Sequence, residues 1–81
     1  MSEPDPLLIA LGNAIRGKRE ERGLTRAKLA ATTGVHERRV TALEEGRLDP
    51  DYELLLLVAD ALGTRASALI IHAEELGRRG D

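Results

Sequence analysis

The 81-residue chain has no cysteine, phenylalanine or tryptophan, and a single tyrosine, Tyr52. Without cysteine there are no disulfides and no thiolate metal or redox centres. That composition suits a reducing compartment, and a cytoplasmic location is expected. With one aromatic residue and few β-branched runs, strands are disfavoured. No apolar run approaches the roughly 18 residues of a membrane span; the longest, Leu54 to Ala59, is far shorter. The opening Met-Ser-Glu-Pro-Asp-Pro is acidic and lacks the basic region of a secretory signal, so export is not expected. A chain of this length has room for one domain with a modest core, a size that often gains stability from a partner.

The net charge of −2 hides an uneven distribution. Residues 16–47 carry nine Lys/Arg against five Glu, a balance of +4, whereas residues 48–81 carry three Arg against seven acids, a balance of −4. A basic half and an acidic half can orient a protein on a polyanion without a basic average. Clustering on solvated helices would produce the same count.

Apolar spacing is helical throughout, and turn residues divide the chain into five helices. The first opens with Asp5 as cap and Pro6 at the first helical position, sets Leu8, Leu11 and Ile15 on one face, and ends at Gly23. Thr25 caps the second, which carries Leu29 and Ala30 and stops before Gly34. The third runs from about His36 to Glu45, with Val40 and Leu43 inward, and Gly46 closes it. Asp51 caps a fourth that ends at Ala61-Leu62-Gly63. The fifth covers roughly Ala66 to Leu76. The expectation is one all-α domain.

Two short helices joined by a tight glycine turn, the second polar at its start, form a helix-turn-helix unit, here residues 25–45. Ala30 falls where the helices cross, and Gly34 supplies a turn in which positive φ is cheap. Around the third helix at 100° steps, Val40 and Leu43 point inward with Glu44 beside them. Arg38, Thr41, Ala42 and Glu45 form the opposite face, and Arg39 lies on a flank.

In order and at the right spacing, Leu11-Gly12, Ile15-Arg16, Lys18-Arg19, Arg22-Gly23-Leu24-Thr25, Leu29-Ala30, Gly34-Val35, Leu43-Glu44 with Gly46, Pro50, Ala59 and Ala61-Leu62-Gly63 resemble the Cro/phage-repressor (XRE-like) family. The resemblance spans about Leu11 to Leu69 and implies a five-helix lambda-repressor-like DNA-binding domain over 11–69. Residues 1–10 then extend the first helix, and 70–81 form the end of the last helix and a tail that serves dimerisation. Length and the directly following fifth helix also resemble the controller proteins of restriction–modification systems. The implied function is a sequence-specific transcription regulator that binds double-stranded DNA as a homodimer.

In this family the third helix enters the major groove N-terminus first, which assigns base contacts to Glu37, Arg38, Thr41 and Ala42. Arginine can pair bidentately with guanine, a carboxylate can accept from cytosine, and an alanine methyl can meet a thymine methyl. Thr25 and Arg26, at the start of the second helix, are implied phosphate contacts. Many relatives carry glutamine where Arg26 stands. Lys28, Arg39 and Arg47 are further phosphate candidates. Arg19 and Glu44 match a family pair that ties the first helix to the third, a structural ion pair.

Catalysis is not expected, because no groups converge as an enzyme requires. His36-Glu37 lacks the second histidine of a zinc-protease helix, and His72 is isolated. No metal, cofactor, small-molecule ligand or membrane partner is implied. The alternative is a protein-interaction module or antitoxin-like partner, since fold alone does not fix function.

The fourth helix carries more apolar surface than one core needs. Leu55, Val58, Ala59 and Leu62 form the core stripe. Leu54 and Leu57 lie on another stripe, as do Ile70 and Ile71 in the fifth helix. The dimer contact is therefore expected at Leu54, Leu57, Ile70 and Ile71, with Leu76 peripheral. The alternative is that Leu7 to Ala10 fold over these residues within one chain.

Overall fold

The computed structural model describes residues 5–79, and these form five helices with no strand among them. The helix α1 spans Pro6–Glu21, α2 Arg26–Thr33, α3 Glu37–Glu44, α4 Tyr52–Ala61 and α5 Ala66–Arg79. The expected caps are in place. Asp5 accepts from the Leu7 N–H at 2.9 Å, Thr25 from the Lys28 N–H at 3.0 Å, and Asp51 from the Leu54 N–H at 2.8 Å. Each satisfies a donor that a helix start would otherwise leave free. Gly34 adopts φ 77° and ends α2 in the left-handed region, where a side chain would be strained. The last helix runs three residues beyond the expected Leu76. The expected divisions at 10/11 and 69/70 fall inside continuous helices.

The main core gathers Ile15, Leu29, Val40, Leu43, Leu55, Val58, Leu62 and Leu69 from all five helices. The expected stripe of α4 is buried in full. Leu54 departs from expectation: it is 4 % exposed and belongs to the same core. The reason lies in the placement of α4, which packs against both α2 and α5, so one chain already covers two of its flanks. Leu54 is therefore withdrawn from the expected contact between chains. Leu76 is half-buried and packs inside its own chain against Ala10, Ala14 and Ala73.

That alanine cluster holds α1 against α5. The extension of α1 thus covers the Ala73 side of α5 and leaves another side open. Leu57, Ile70 and Ile71 remain 42 %, 44 % and 56 % exposed. A second close approach joins α1 to α3. A Cβ on Gly12 would lie 2.5 Å from the Glu44 carbonyl oxygen and 2.6 Å from that of Leu43. Glycine is required there because backbone, not a yielding side chain, fills the space.

No single helix among the described residues is long and apolar enough to cross a membrane.

Candidate nucleic-acid interface

The pairing of α2 with α3 starts from small residues and a short turn. Leu29 and Ala30 are buried at the contact, and Val35 packs from the turn onto the core. Thr33 donates its hydroxyl to the Leu29 carbonyl at 2.9 Å, tightening the last turn of α2 before Gly34 reverses the chain. Val40, Leu43 and Glu44 then fix the inner face of α3, while Glu37, Arg38 and Arg39 stay exposed. Thr41 and Ala42 are half-buried on the sides.

A charged network locks this arrangement. Arg19 of α1 donates from Nε to Glu44 Oε2 at 2.6 Å and from Nη2 to Oε1 at 3.0 Å, a bidentate pair. Its Nη1 donates to the Leu24 carbonyl at 2.8 Å. The Glu44 side chain is fully buried and that of Arg19 nearly so. The hydrogen bonds to Glu44 raise the Arg19 pKa above its ordinary value, outweighing the opposing effect of burial. Arg26 of α2 adds a third bond, from Nε to Glu44 Oε1 at 2.9 Å. The expected pair is therefore a triad linking three helices. Arg26 thus braces the carboxylate that holds α3.

On the outer side, Glu37, Arg38, Thr41 and Arg47 come together with His36 around a shallow depression of about 430 Å³. Ala42 is not on its lining, and its carbonyl accepts the Arg47 N–H at 2.9 Å. Two features escaped the sequence reading. His36 caps α3 through Nδ1, which accepts from the Arg38 N–H at 3.1 Å, and so helps shape the start of the exposed face. Arg47 turns back on Glu45, with Nη2 at 2.7 Å and Nε at 3.0 Å from Oε1. Histidine directly before the helix was the only sequence signal for the first, and no local pattern marks the second. Thr25 and Lys28 are exposed at the start of α2, and Arg26 is partly exposed there. Arg39 is exposed and stands outside the depression's lining.

Two short helices at a glycine turn, the second presenting a polar outer face, define a helix-turn-helix domain. A helix-turn-helix family profile matches residues 15–69. An uncharacterized HTH-type transcriptional regulator from Methanothermobacter thermautotrophicus is 45 % identical over 49 residues, 60 % of this chain and 71 % of that protein. Among solved structures, the clp gene regulator ClgR from Corynebacterium glutamicum superposes with a TM-score of 0.90 at 32 % identity, over 96 % of this chain and 83 % of that one. The restriction-modification controller protein C.AhdI from Aeromonas hydrophila gives 0.75 at 27 % identity, over 76 % and 94 % of the two chains. The chain belongs to the helix-turn-helix family, in its XRE-like branch.

Proposed function

We propose that this protein is a sequence-specific transcription regulator that binds double-stranded DNA as a homodimer on a roughly palindromic operator in the cytoplasm. The observation that carries the reading is the outer face of α3. Its polar side chains converge at one depression, while the inner face is spent on the core. Family membership and the regulators among its relatives support the same assignment.

In this reading α3 enters the major groove with its N-terminus leading. Arg38, Glu37, Thr41 and Ala42 read base edges, with Arg38 suited to guanine. Thr25, Arg26, Lys28, Arg39 and Arg47 hold phosphates and set the register. Leu57, Ile70 and Ile71 form the two-fold contact in this reading, since they are large apolar side chains of α4 and α5 that their own chain leaves exposed. The domain measures 32 × 27 × 22 Å. A two-fold dimer of a domain this size presents its recognition helices to half-sites about one DNA turn, roughly 34 Å, apart in this reading.

Selection of bound duplexes from a random pool tests the function. The expected result is one enriched motif with inverted half-sites. A folded protein that enriches nothing rejects DNA readout and leaves the interaction-module alternative.

A further inference from the structure

At the C-terminal end of α3, Arg47 is bonded to the Glu45 carboxylate, and Arg26 and Arg16, from two other elements, lie near enough for their charges to act on it. Arg47, in the segment after α3, grips Glu45 through Nε and Nη2. Arg26, at the start of α2, is anchored at the same end of α3 by its Nε bond to Glu44. Its Nη groups have no protein acceptor among the described residues. Arg16 comes from α1, one turn after Gly12. Because Gly12 lies against the Glu44 carbonyl, the i+4 position shares the stripe that faces the end of α3. Arg16 donates to the neutral Asn13 side chain at 2.5 Å, so its charge has no carboxylate partner there. The Glu45 carboxyl is held below its ordinary pKa, first by the Arg47 hydrogen bond and also by the charges of Arg26 and Arg16. Glu44 is already matched by Arg19, so the group around Glu45 has an excess of positive charge.

We propose that Arg16, Arg26 and Arg47 form a seat for a DNA phosphodiester, and that the Glu45 carboxylate occupies this seat in the free protein. The proposal rests on the DNA-binding reading and adds Arg16 as a contact and Glu45 as an internal competitor. A carboxylate and a phosphate present similar oxygens to a guanidinium fork. The Glu45–Arg47 pair is solvated, with side chains 44 % and 61 % exposed, and surface pairs of this kind hold weakly. A backbone phosphate can therefore displace Glu45 from Arg47 without unpacking the core.

Glu45→Gln and Arg16→Ala, compared with the parent chain on the selected operator and on a scrambled duplex across a salt series, test the seat. Both positions lie outside the core, and thermal unfolding controls for the fold. Removing the competitor should tighten binding to both duplexes by a similar factor and steepen the salt dependence. Glu45→Gln leaves one more cation unneutralised at the seat, which changes the log–log slope by up to roughly one, so the affinity ratio to parent shifts by up to about 3–4-fold over a fourfold change in salt. Arg16→Ala should weaken both duplexes and make the slope shallower. If the parent binds and Glu45→Gln matches it in affinity and slope, or binds more weakly, the seat is rejected alone. A change confined to the operator also rejects it. If the parent retains neither duplex, the DNA-binding reading fails and the seat with it.

Discussion

Truncating Glu44 to alanine removes the acceptor of three hydrogen bonds and leaves Arg19 charged, nearly buried and tied only to the Leu24 carbonyl. Breaking a buried ion pair from one side costs about 3–5 kcal/mol, because the remaining charge has lost its compensation. A chain of this length has roughly 4–12 kcal/mol of total stability at about 0.05–0.15 kcal/mol per residue. Glu44→Ala therefore removes roughly a quarter or more of what holds the fold. Arg26→Ala deletes a single bond from a partly exposed side chain and should cost only about 1 kcal/mol. Replacing the buried pair together, as Arg19→Met with Glu44→Leu, should cost less than the sum of the single changes, since no lone charge is left. Urea titrations followed by circular dichroism, at one fixed protein concentration, measure these variants together with the single changes Arg19→Met and Glu44→Leu. A Glu44→Ala loss below about 1 kcal/mol, or an Arg26→Ala loss equal to it, would show that the triad does not carry the stability assigned to it.

Arg38→Ala should weaken operator binding by about 1–3 kcal/mol and flatten discrimination at one base pair, read from single-base operator variants; an equal loss on every variant would move Arg38 to the backbone contacts. Leu57→Glu should give a folded monomer in light scattering with weaker operator binding, whereas Leu54→Glu should unfold the chain, because only Leu54 is buried in the core. A Leu57→Glu dimer of unchanged affinity would place the interface elsewhere. Gly12→Ala should destabilise by about 1–3 kcal/mol, since its Cβ meets fixed carbonyls. Gly17→Ala, on the same helix with open space around it, should stabilise by about 0.5–1 kcal/mol through helix propensity. Thermal unfolding of the two glycine variants compares them directly, and shifts of the same sign would refute the close-approach argument.

The elements legible in the sequence are those with a local chemical signature. Asp5, Thr25 and Asp51 announce helix starts through the donors they satisfy, and Gly34 announces the turn through the φ it alone adopts cheaply. The Leu55–Val58–Ala59–Leu62 stripe is a matter of period. Which additional flank of α4 is covered is not: Leu54 and Leu57 share a stripe, and the separate approaches of α2 and α5 bury one and expose the other. The alanine contact between α1 and α5 was equally silent, because Ala10, Ala14 and Ala73 add little hydrophobicity to a periodic pattern. Gly77 follows Leu76 as a glycine follows each of the other helices, but it lacks their positive φ and the helix continues through Gly77-Arg78-Arg79. At the candidate site, resemblance supplied the Arg19–Glu44 pair, whereas the attachment of Arg26 to Glu44 arises only when separate helices meet.

The recognition helix assigns its eight residues to separate tasks. Val40, Leu43 and Glu44 answer to the core, and Glu37, Arg38 and Arg39 answer to solvent. Folding and choice of target are thus encoded in almost disjoint alphabets on one short segment. In the proposed role, an exchange of the outward letters should redirect the protein to another DNA sequence at little cost to stability, since exposed substitutions away from caps and networks usually fall within about 0.5 kcal/mol. The scaffold is in that sense a reusable holder, and under the proposed readout a graft of three or four side chains should give it a new address.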